Sequence, residues 1–595
     1  MTFALKYLAS LFAAQHAIAA QDAFDYIVVG AGTSGVVIAN RLSENPAVRV
    51  ALIEAGDDVR EDKIVRDIYS QAGVGSYIDW NYTTIPQLGV NGLSLLESGG
   101  KGWGGTTLIN GMNYVRPHKQ EVDAWEELGN PGWNWDTLFP YYRKSEGFIP
   151  PTAWQVSAGA TYQRSHHGFN GPVRVGYDSG VRQAATLELI QKGWQDVGLQ
   201  KSPDFNSGDN NGFAIGPRTL DPETNTRWHS ARAYLEPAER RPNLVVVKGN
   251  VKKLDWKPRD PGHCRGRLVA SGVEYWDDSD QPVILHATGE VILSAGSFGS
   301  PGILEASGIG NPRILKELGV EVRVNLPGVG ENLSEQPCAA VGFAAAVDST
   351  PTPLITFTNA HQTFGSAFKE WKSSTLSQIS KWAKETVEAV GNGALNATAI
   401  EKLLRVQHSL LFHKDTTFGE SVAVTAPGGG VAGSFYMIQS AFSRGNVHLR
   451  SLEDMDRPLI NPRLYSNEFD ISAMIALGNL TRRMWYSETL APLIIAQVLP
   501  DESVLPVDAS TEVWTEFLRA TTVPNRHPLG AASMMSRELG GVVDPELKVY
   551  GTANVRVIDG SIIPIQISGH PIATLYAVAE RAADIIKAAS QDESR

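Results

Sequence analysis

The stretch Phe24-Asp25-Tyr26-Ile27-Val28-Val29 is apolar at all but one position and stops at Gly30-Ala31-Gly32-Thr33-Ser34-Gly35. Residues 36–42 then follow a helical apolar pattern, and a second apolar run over residues 48–53 ends in Glu54. Short apolar runs on either side of a helical segment predict a β-α-β unit. Further strand patterns fall at residues 244–247, 268–273 and 291–293, the last entering Ser294-Ala295-Gly296. Near the C-terminus a strand-like segment over residues 554–560 precedes a helix over 573–587, with Leu575, Val578, Ala579 and Ile585 on apolar spacing. One domain is therefore expected to be assembled from distant segments. Residues 151–230 and 335–545 are more irregular, apart from an amphipathic helix over 367–390 that carries Trp371 and Trp382. They are expected to form a second domain that covers a cofactor and shapes a substrate pocket.

The glycines carry the first chemistry. Gly30 permits a tight turn, Gly32 lets backbone approach a diphosphate, and Gly35 lets helix and strand pack closely, with the helix N-terminus facing phosphate charge. Glu54, at the end of the second strand, can accept both hydroxyls of an adenosine ribose. A carboxylate there argues against a 2′-phosphate and leaves FAD or NAD. Asn525-Arg526-His527-Pro528 and Ser568-Gly569-His570-Pro571 flank the strand that ends in Asp559. That arrangement is expected to deliver two imidazoles to one place, one to take a proton and the other to hold the same oxygen, a division of labour that suits alcohol oxidation; the alternative is two structural histidines in loops.

Composition narrows the class. The chain has 595 residues, 42% hydrophobic and 19% charged, enough for two globular domains. A formal net charge of −12 excludes nucleic acid and anionic membranes as expected partners. Residues 1–20 combine a lone Lys6, an apolar run and Ala17-Ile18-Ala19, which reads as a secretory signal peptide. Gln15 and His16 interrupt that run, so no membrane anchor is expected. The two cysteines, Cys264 and Cys338, give neither a disulfide framework nor a zinc cluster, and their pairing is left open. Asn81, Asn332, Asn396 and Asn479 begin N-glycosylation sequons, with burial expected for Asn332 in a turn-rich segment.

Together with Gly30 to Gly35, three further stretches carry a resemblance. They are Gly102-Trp103-Gly104-Gly105-Thr106-Thr107-Leu108-Ile109-Asn110-Gly111, then Gly296-Ser297-Phe298-Gly299-Ser300-Pro301 through Ser307-Gly308-Ile309-Gly310, and His527 to Met535 with Asp559, Gly560 and His570. Along nearly all of its mature length the chain resembles the glucose-methanol-choline (GMC) flavoprotein oxidoreductases, on the side of fungal glucose oxidase and FAD-glucose dehydrogenase. The resemblance implies a mixed α/β fold with a Rossmann-like FAD-binding domain and a substrate-binding domain of antiparallel sheet and helices. Residues 21–150, 231–334 and 546–595 would form the first domain, and 151–230 with 335–545 the second. FAD would contact Thr33 and Ser34 at its diphosphate and Glu54 at its ribose. Gly105, Thr106, Asn110, Gly111 and Asn113 would lie along diphosphate and flavin, and Val251 would meet adenine through its backbone. Asp559, Gly560, Pro571 and Ile572 would complete the site. His527 would take the hydroxyl proton, His570 would hold the same oxygen, and Glu420 is the candidate that orients His570.

Departures from the family bear on the substrate. Val523 stands where the glucose enzymes place a sugar-binding arginine, and Ser98 replaces an arginine usual before the flavin loop. Losing a polar clamp costs about 1 to 3 kcal/mol for each hydroxyl left unpaired. Arg526 is either a new cation beside the pocket or a solvent-facing side chain. The expected substrate is a small-molecule alcohol less polar than glucose, of an aromatic or lactol kind found in secondary pathways, with oxygen or a quinone-like acceptor. A sugar oxidase or dehydrogenase is one alternative. A non-redox cyclase of the versicolorin B synthase type is another. The oligomeric state is left open, a homodimer included.

Overall fold

The computed structural model describes residues 23–68, 73–181, 185–258, 267–350 and 352–593. The signal-peptide reading and Cys264 lie outside the described residues. Strand β1 (Phe24–Val29), helix α1 (Thr33–Leu42) and strand β2 (Val50–Glu54) form the predicted unit, with Val28 opposite Leu52 in a parallel register. Strand β3 (Leu244–Lys248) extends the sheet beyond β2. Strands β4 (Asn250–Trp256), β5 (Ala270–Trp276) and β6 (Pro282–Leu293) form an antiparallel meander.

β6 joins two kinds of sheet. Its first half pairs antiparallel with β5 and its second half pairs parallel with β1, so the meander grows out of the parallel sheet along one strand. The short strand Val555–Val557 adds in parallel on the open side of Leu293. β1 and β2 are buried on both faces, which is why their sequences read as continuous apolar runs rather than as alternation. Helix α1 packs under the C-terminal helix Pro571–Glu593. There the fully buried Glu580 accepts from Arg41 at 2.7 Å and from the Tyr234 hydroxyl at 2.9 Å, closing the C-terminal end of the chain onto the first β-α-β unit.

The region 335–545, irregular by sequence, holds most of a second seven-stranded sheet. Its order is Ile494–Leu499, Pro337–Ala345, Val431–Ile438, Thr417–Thr425, Leu354–Asn359 and Gly212–Ala214, all antiparallel, with Val523–Pro524 added beside Pro337–Cys338. Glycine, alanine, serine and threonine are frequent in these strands and their burial does not alternate, so no period of two marks them. Helix Glu468–Trp485 packs on the strand Val431–Ile438. Helix Phe368–Val390 pairs with helix Ala397–His413, and Trp382 is buried while Trp371 is half-buried. Asn332 is buried, as expected. Its amide donates to Ser533 Oγ at 2.9 Å and to the Pro564 carbonyl at 2.8 Å.

Candidate active site

A cavity of about 840 Å³ runs between the two sheets, from Glu54 and the Gly30 turn at one end to His527 and His570 at the other. At the first end β1 delivers the chain into a turn where Gly30 and Gly35 have no room for a Cβ. A Cβ on Gly35 would lie 1.9 Å from the Gly30 carbonyl oxygen. Gly105 has a φ of +53°, and a Cβ there would lie 2.7 Å from Gly32 Cα, so the two glycine loops touch through backbone alone. Gly32 caps α1 without a side-chain hydrogen bond. The first-turn amides are therefore left for a ligand beside Thr33 and Ser34, which line the cavity.

Glu54 ends β2 with its carboxylate buried. Oε2 accepts from the Ala31 amide and Oε1 from the Gly56 amide, each at 2.8 Å. Burial pushes its pKa up. Thr106, Asn110, Gly111, Asn113 and Val251 line the same cavity. Arg227, which the sequence reading missed, sits behind Asn110 and donates to its Oδ1 at 2.8 Å and to its carbonyl at 2.7 Å. Burial, with the neighbouring Arg218 charge, lowers the Arg227 pKa to about 9. Asp559 lines the cavity together with Gly560, Pro571 and Ile572. Its carboxylate is occupied within the protein, accepting from the Gly296 amide at 3.0 Å, Ser300 Oγ at 2.6 Å and the Ser561 amide at 2.9 Å. Asp559 thus pins the N-terminus of the helix Gly296–Ala306 and the loop beyond Val557.

At the far end the rings of His527 and His570 stand 5.1 Å apart and nearly perpendicular, at 87°. The pairing of Val523–Pro524 with Pro337–Cys338 sets the approach of the His527 loop. The Asn525 amide donates to the Gln336 carbonyl at 2.8 Å, and the His527 amide donates to Glu335 Oε1 at 3.1 Å. His527 Nδ1 lies 2.9 Å from Gln336 Oε1 and 3.0 Å from Asn525 Nδ2. Gln336 Nε2 is directed at the Gln439 and Ile567 carbonyls, which fixes its amide with Oε1 toward the histidine. Gln336 and Asn525 thus hold the His527 ring at Nδ1, and Nε2 has no partner among the described residues. Burial and the facing His570 hold its pKa well below the usual 6.5, so the ring is neutral at neutral pH.

Glu420 reaches His570 from the second sheet. Its Oε1 lies 3.1 Å from His570 Nε2 and its Oε2 accepts from Gln439 Nε2 at 3.1 Å, while Asn113 Nδ2 is 3.3 Å from the same imidazole nitrogen. Gln336 and Gln439 therefore link the two histidines through one buried chain of amides and a carboxylate. No spacing in the sequence marks either glutamine. Strand register builds the remaining wall. Cys338 faces Met437, which faces Glu420, and Phe435 faces Val422, so alternate residues of three strands point into the cavity. Val523 and Arg526 line it too.

The model of the GMC oxidoreductase family's N-terminal region matches residues 24–338, and that of its C-terminal region matches residues 441–579. The chain belongs to the GMC oxidoreductase family. It is 46% identical over 592 residues to the glucose oxidase-like protein fsoC of Humicola fuscoatra, covering 98% of this chain and 100% of that protein. It is 34% identical to the glucose oxidase of Aspergillus carbonarius, covering 98% of this chain and 94% of that protein. An FAD-dependent oxidoreductase from Chaetomium thermophilum superposes with a TM-score of 0.85 at 27% identity, covering 96% of this chain and 100% of that one. A fungal aryl-alcohol oxidase superposes with a TM-score of 0.82 at 26% identity, over 95% of this chain and 99% of that one.

As a GMC oxidoreductase the protein takes FAD as its cofactor, and its own residues fit that group. Besides the glycine cradle and Glu54, Ser98 Oγ is buried on the cavity wall with no partner in the protein, as a position awaiting a ligand would be. Among the described residues no group of three or more His, Cys, Asp or Glu side chains is placed to hold a metal. No helix there is long and apolar enough to cross a membrane.

Proposed function

We propose that this GMC oxidoreductase oxidises an aryl or lactol-type alcohol with a more apolar body than a sugar, with dioxygen as the final acceptor. The observation that carries the reading is the pair of His527 and His570, 5.1 Å apart at one end of the cavity and set against a wall of Val422, Phe435, Met437 and Val523. His527 takes the hydroxyl proton on Nε2. His570, oriented by Glu420 and Asn113, holds the same oxygen. FAD, when bound, accepts the carbon-bound hydrogen as hydride. Thr33, Ser34, Glu54, Ser98 and Thr106 would hold its phosphate and ribose portions, with Asn110, Asn113 and Ile572 nearer the ring. The oxidase names of the relatives support dioxygen as acceptor. A sugar remains the second reading because several relatives carry glucose oxidase in their names, but Val523 offers sugar hydroxyls no partner.

An anaerobic titration of the yellow protein with aryl alcohols, lactols and sugars tests this. Bleaching by the first two at lower concentration than by glucose is the expected result. Preferential bleaching by glucose would overturn the substrate claim, and no bleaching by any alcohol would return the weight to cyclisation without redox. We also propose that the chain enters the secretory route by cleavage after residue 19 or 20, supported by the leader pattern and the exposed sequon at Asn81. N-terminal sequencing of secreted protein checks that site.

A further inference from the structure

Arg526 stands immediately before His527 and lines the same cavity, yet its guanidinium makes no hydrogen bond or ion pair among the described residues. Its Nε is buried without a partner. Arg116 and Arg482 also leave Nε without a partner, but other buried arginines are held through the rest of the guanidinium. Arg116 pairs with Glu146 at 2.8 Å, Arg556 with Glu290 at 2.6 Å, and Arg227 and Arg482 donate to backbone carbonyls.

The backbone holds Arg526 where it is at some expense. Its φ is +65°, in the left-handed region that a residue with a long side chain rarely enters, and such strain costs on the order of 1–3 kcal/mol. The flanking bonds impose it, from the Asn525 amide to the Gln336 carbonyl on one side and from the His527 amide to Glu335 on the other. Strain of this kind persists where surrounding structure fixes a side chain for a task.

The only opposite charges that the Arg526 cation feels come from behind the loop, from the buried Glu97 and Glu335, and none among the described residues comes from the cavity wall. Val422, Phe435, Met437 and Val523 are apolar. The buried acids behind the loop, Glu97 and Glu335, form no ion pair with Arg526, and burial favours their neutral forms, the Glu335 pKa being pushed up to about 8. Once a substrate displaces water, an unpaired guanidinium in this cavity is costly, whereas a carboxylate matches its planar fork with two charge-assisted hydrogen bonds.

Resting on the reading of the site as one that oxidises an alcohol, we propose that Arg526 is its specificity determinant and that the substrate is a hydroxy acid: an alcohol on an apolar body whose carboxylate pairs with Arg526 while its hydroxyl meets His527 and His570. A neutral sugar or neutral aryl alcohol would leave the cation unpaired.

Anaerobic flavin reduction by para-hydroxymethylbenzoate and by its neutral isostere para-hydroxymethylbenzamide tests the proposal. Wild-type protein should favour the benzoate by at least about tenfold in reduction rate over dissociation constant. Arg526→Met should bring that ratio to about one, and Arg526→Lys should keep part of it. Equal preference in wild type, or an unchanged ratio in Arg526→Met, would overturn the assignment. Should Arg526→Met not fold, the wild-type flavin spectrum decides: benzoate should perturb it at lower concentration than benzamide, and equal perturbation would overturn the proposal. Benzoate binding without bleaching by any alcohol would leave the anion site standing and remove alcohol oxidation. Bleaching by alcohols without a benzoate preference would do the reverse.

Discussion

Burial and the facing His570 keep His527 neutral, and Gln336 Oε1 holds the ring at Nδ1 from 2.9 Å. That amide is itself aimed by two backbone carbonyls, so Gln336 is a positioning residue for the base. Gln336→Leu should lower the rate of flavin reduction by about tenfold to a hundredfold, corresponding to the roughly 1–3 kcal/mol lost when such a buried hydrogen bond is broken, with FAD still bound. Stopped-flow reduction beside the visible spectrum of the resting protein checks both halves. An unchanged rate would show that the ring is held elsewhere. The histidine pair was legible because His-Pro recurs on either side of a strand, whereas Glu420 was reached only through the family resemblance. Gln336, Gln439 and Arg227 were not, since an amide or guanidinium that works through a partner from another strand leaves no local pattern.

At the scale of elements, the β-α-β unit could be read because strands covered on both faces must be continuously apolar and because Gly30 and Gly35 stand where there is no room for a Cβ. Gly35→Ala would drive a methyl to within 1.9 Å of the Gly30 carbonyl, so helix and strand must separate. FAD occupancy, read as the ratio of flavin to protein absorbance, should fall sharply together with thermal stability. Full occupancy would mean that the turn adapts. The substrate-side sheet was harder to see. Strands such as Pro337–Ala345 and Thr417–Thr425 are buried along most of their length, carry few large β-branched residues, and include the buried, charged Glu420. Their identity as strands comes from cross-strand pairing between segments far apart in the chain, which local pattern does not encode.

Across the whole molecule, buried charges tie the distant segments together. His448 stands between Glu305, at 2.6 Å, and Glu331, at 3.1 Å, linking the helix Gly296–Ala306 to the strands Glu331–Leu333 and Gly445–His448. Although burial opposes its charge, the two carboxylates raise its pKa from 6.5 to about 10. Since the folded value lies above the unfolded one, its contribution is complete below pH 6.5 and is lost as pH rises through about 10. In that interval the slope is about 1.4 kcal/mol per pH unit for the single proton. The stability difference between wild type and His448→Gln, from urea unfolding, should therefore shrink by several kcal/mol between pH 6 and pH 10, a magnitude set by that slope. Parallel curves would place the charge elsewhere.

The account stands or falls on His527 as the group that takes the alcohol proton. The most direct measurement is the pH dependence of anaerobic flavin reduction in wild type and His527→Ala, using an alcohol that bleaches the wild-type protein. Wild type should keep its rate well below pH 6.5, losing it only as the depressed His527 titrates, and His527→Ala should be slower by about a hundredfold to ten-thousandfold while retaining its yellow cofactor. A variant that reduces flavin at the wild-type rate with the same pH profile would contradict the account.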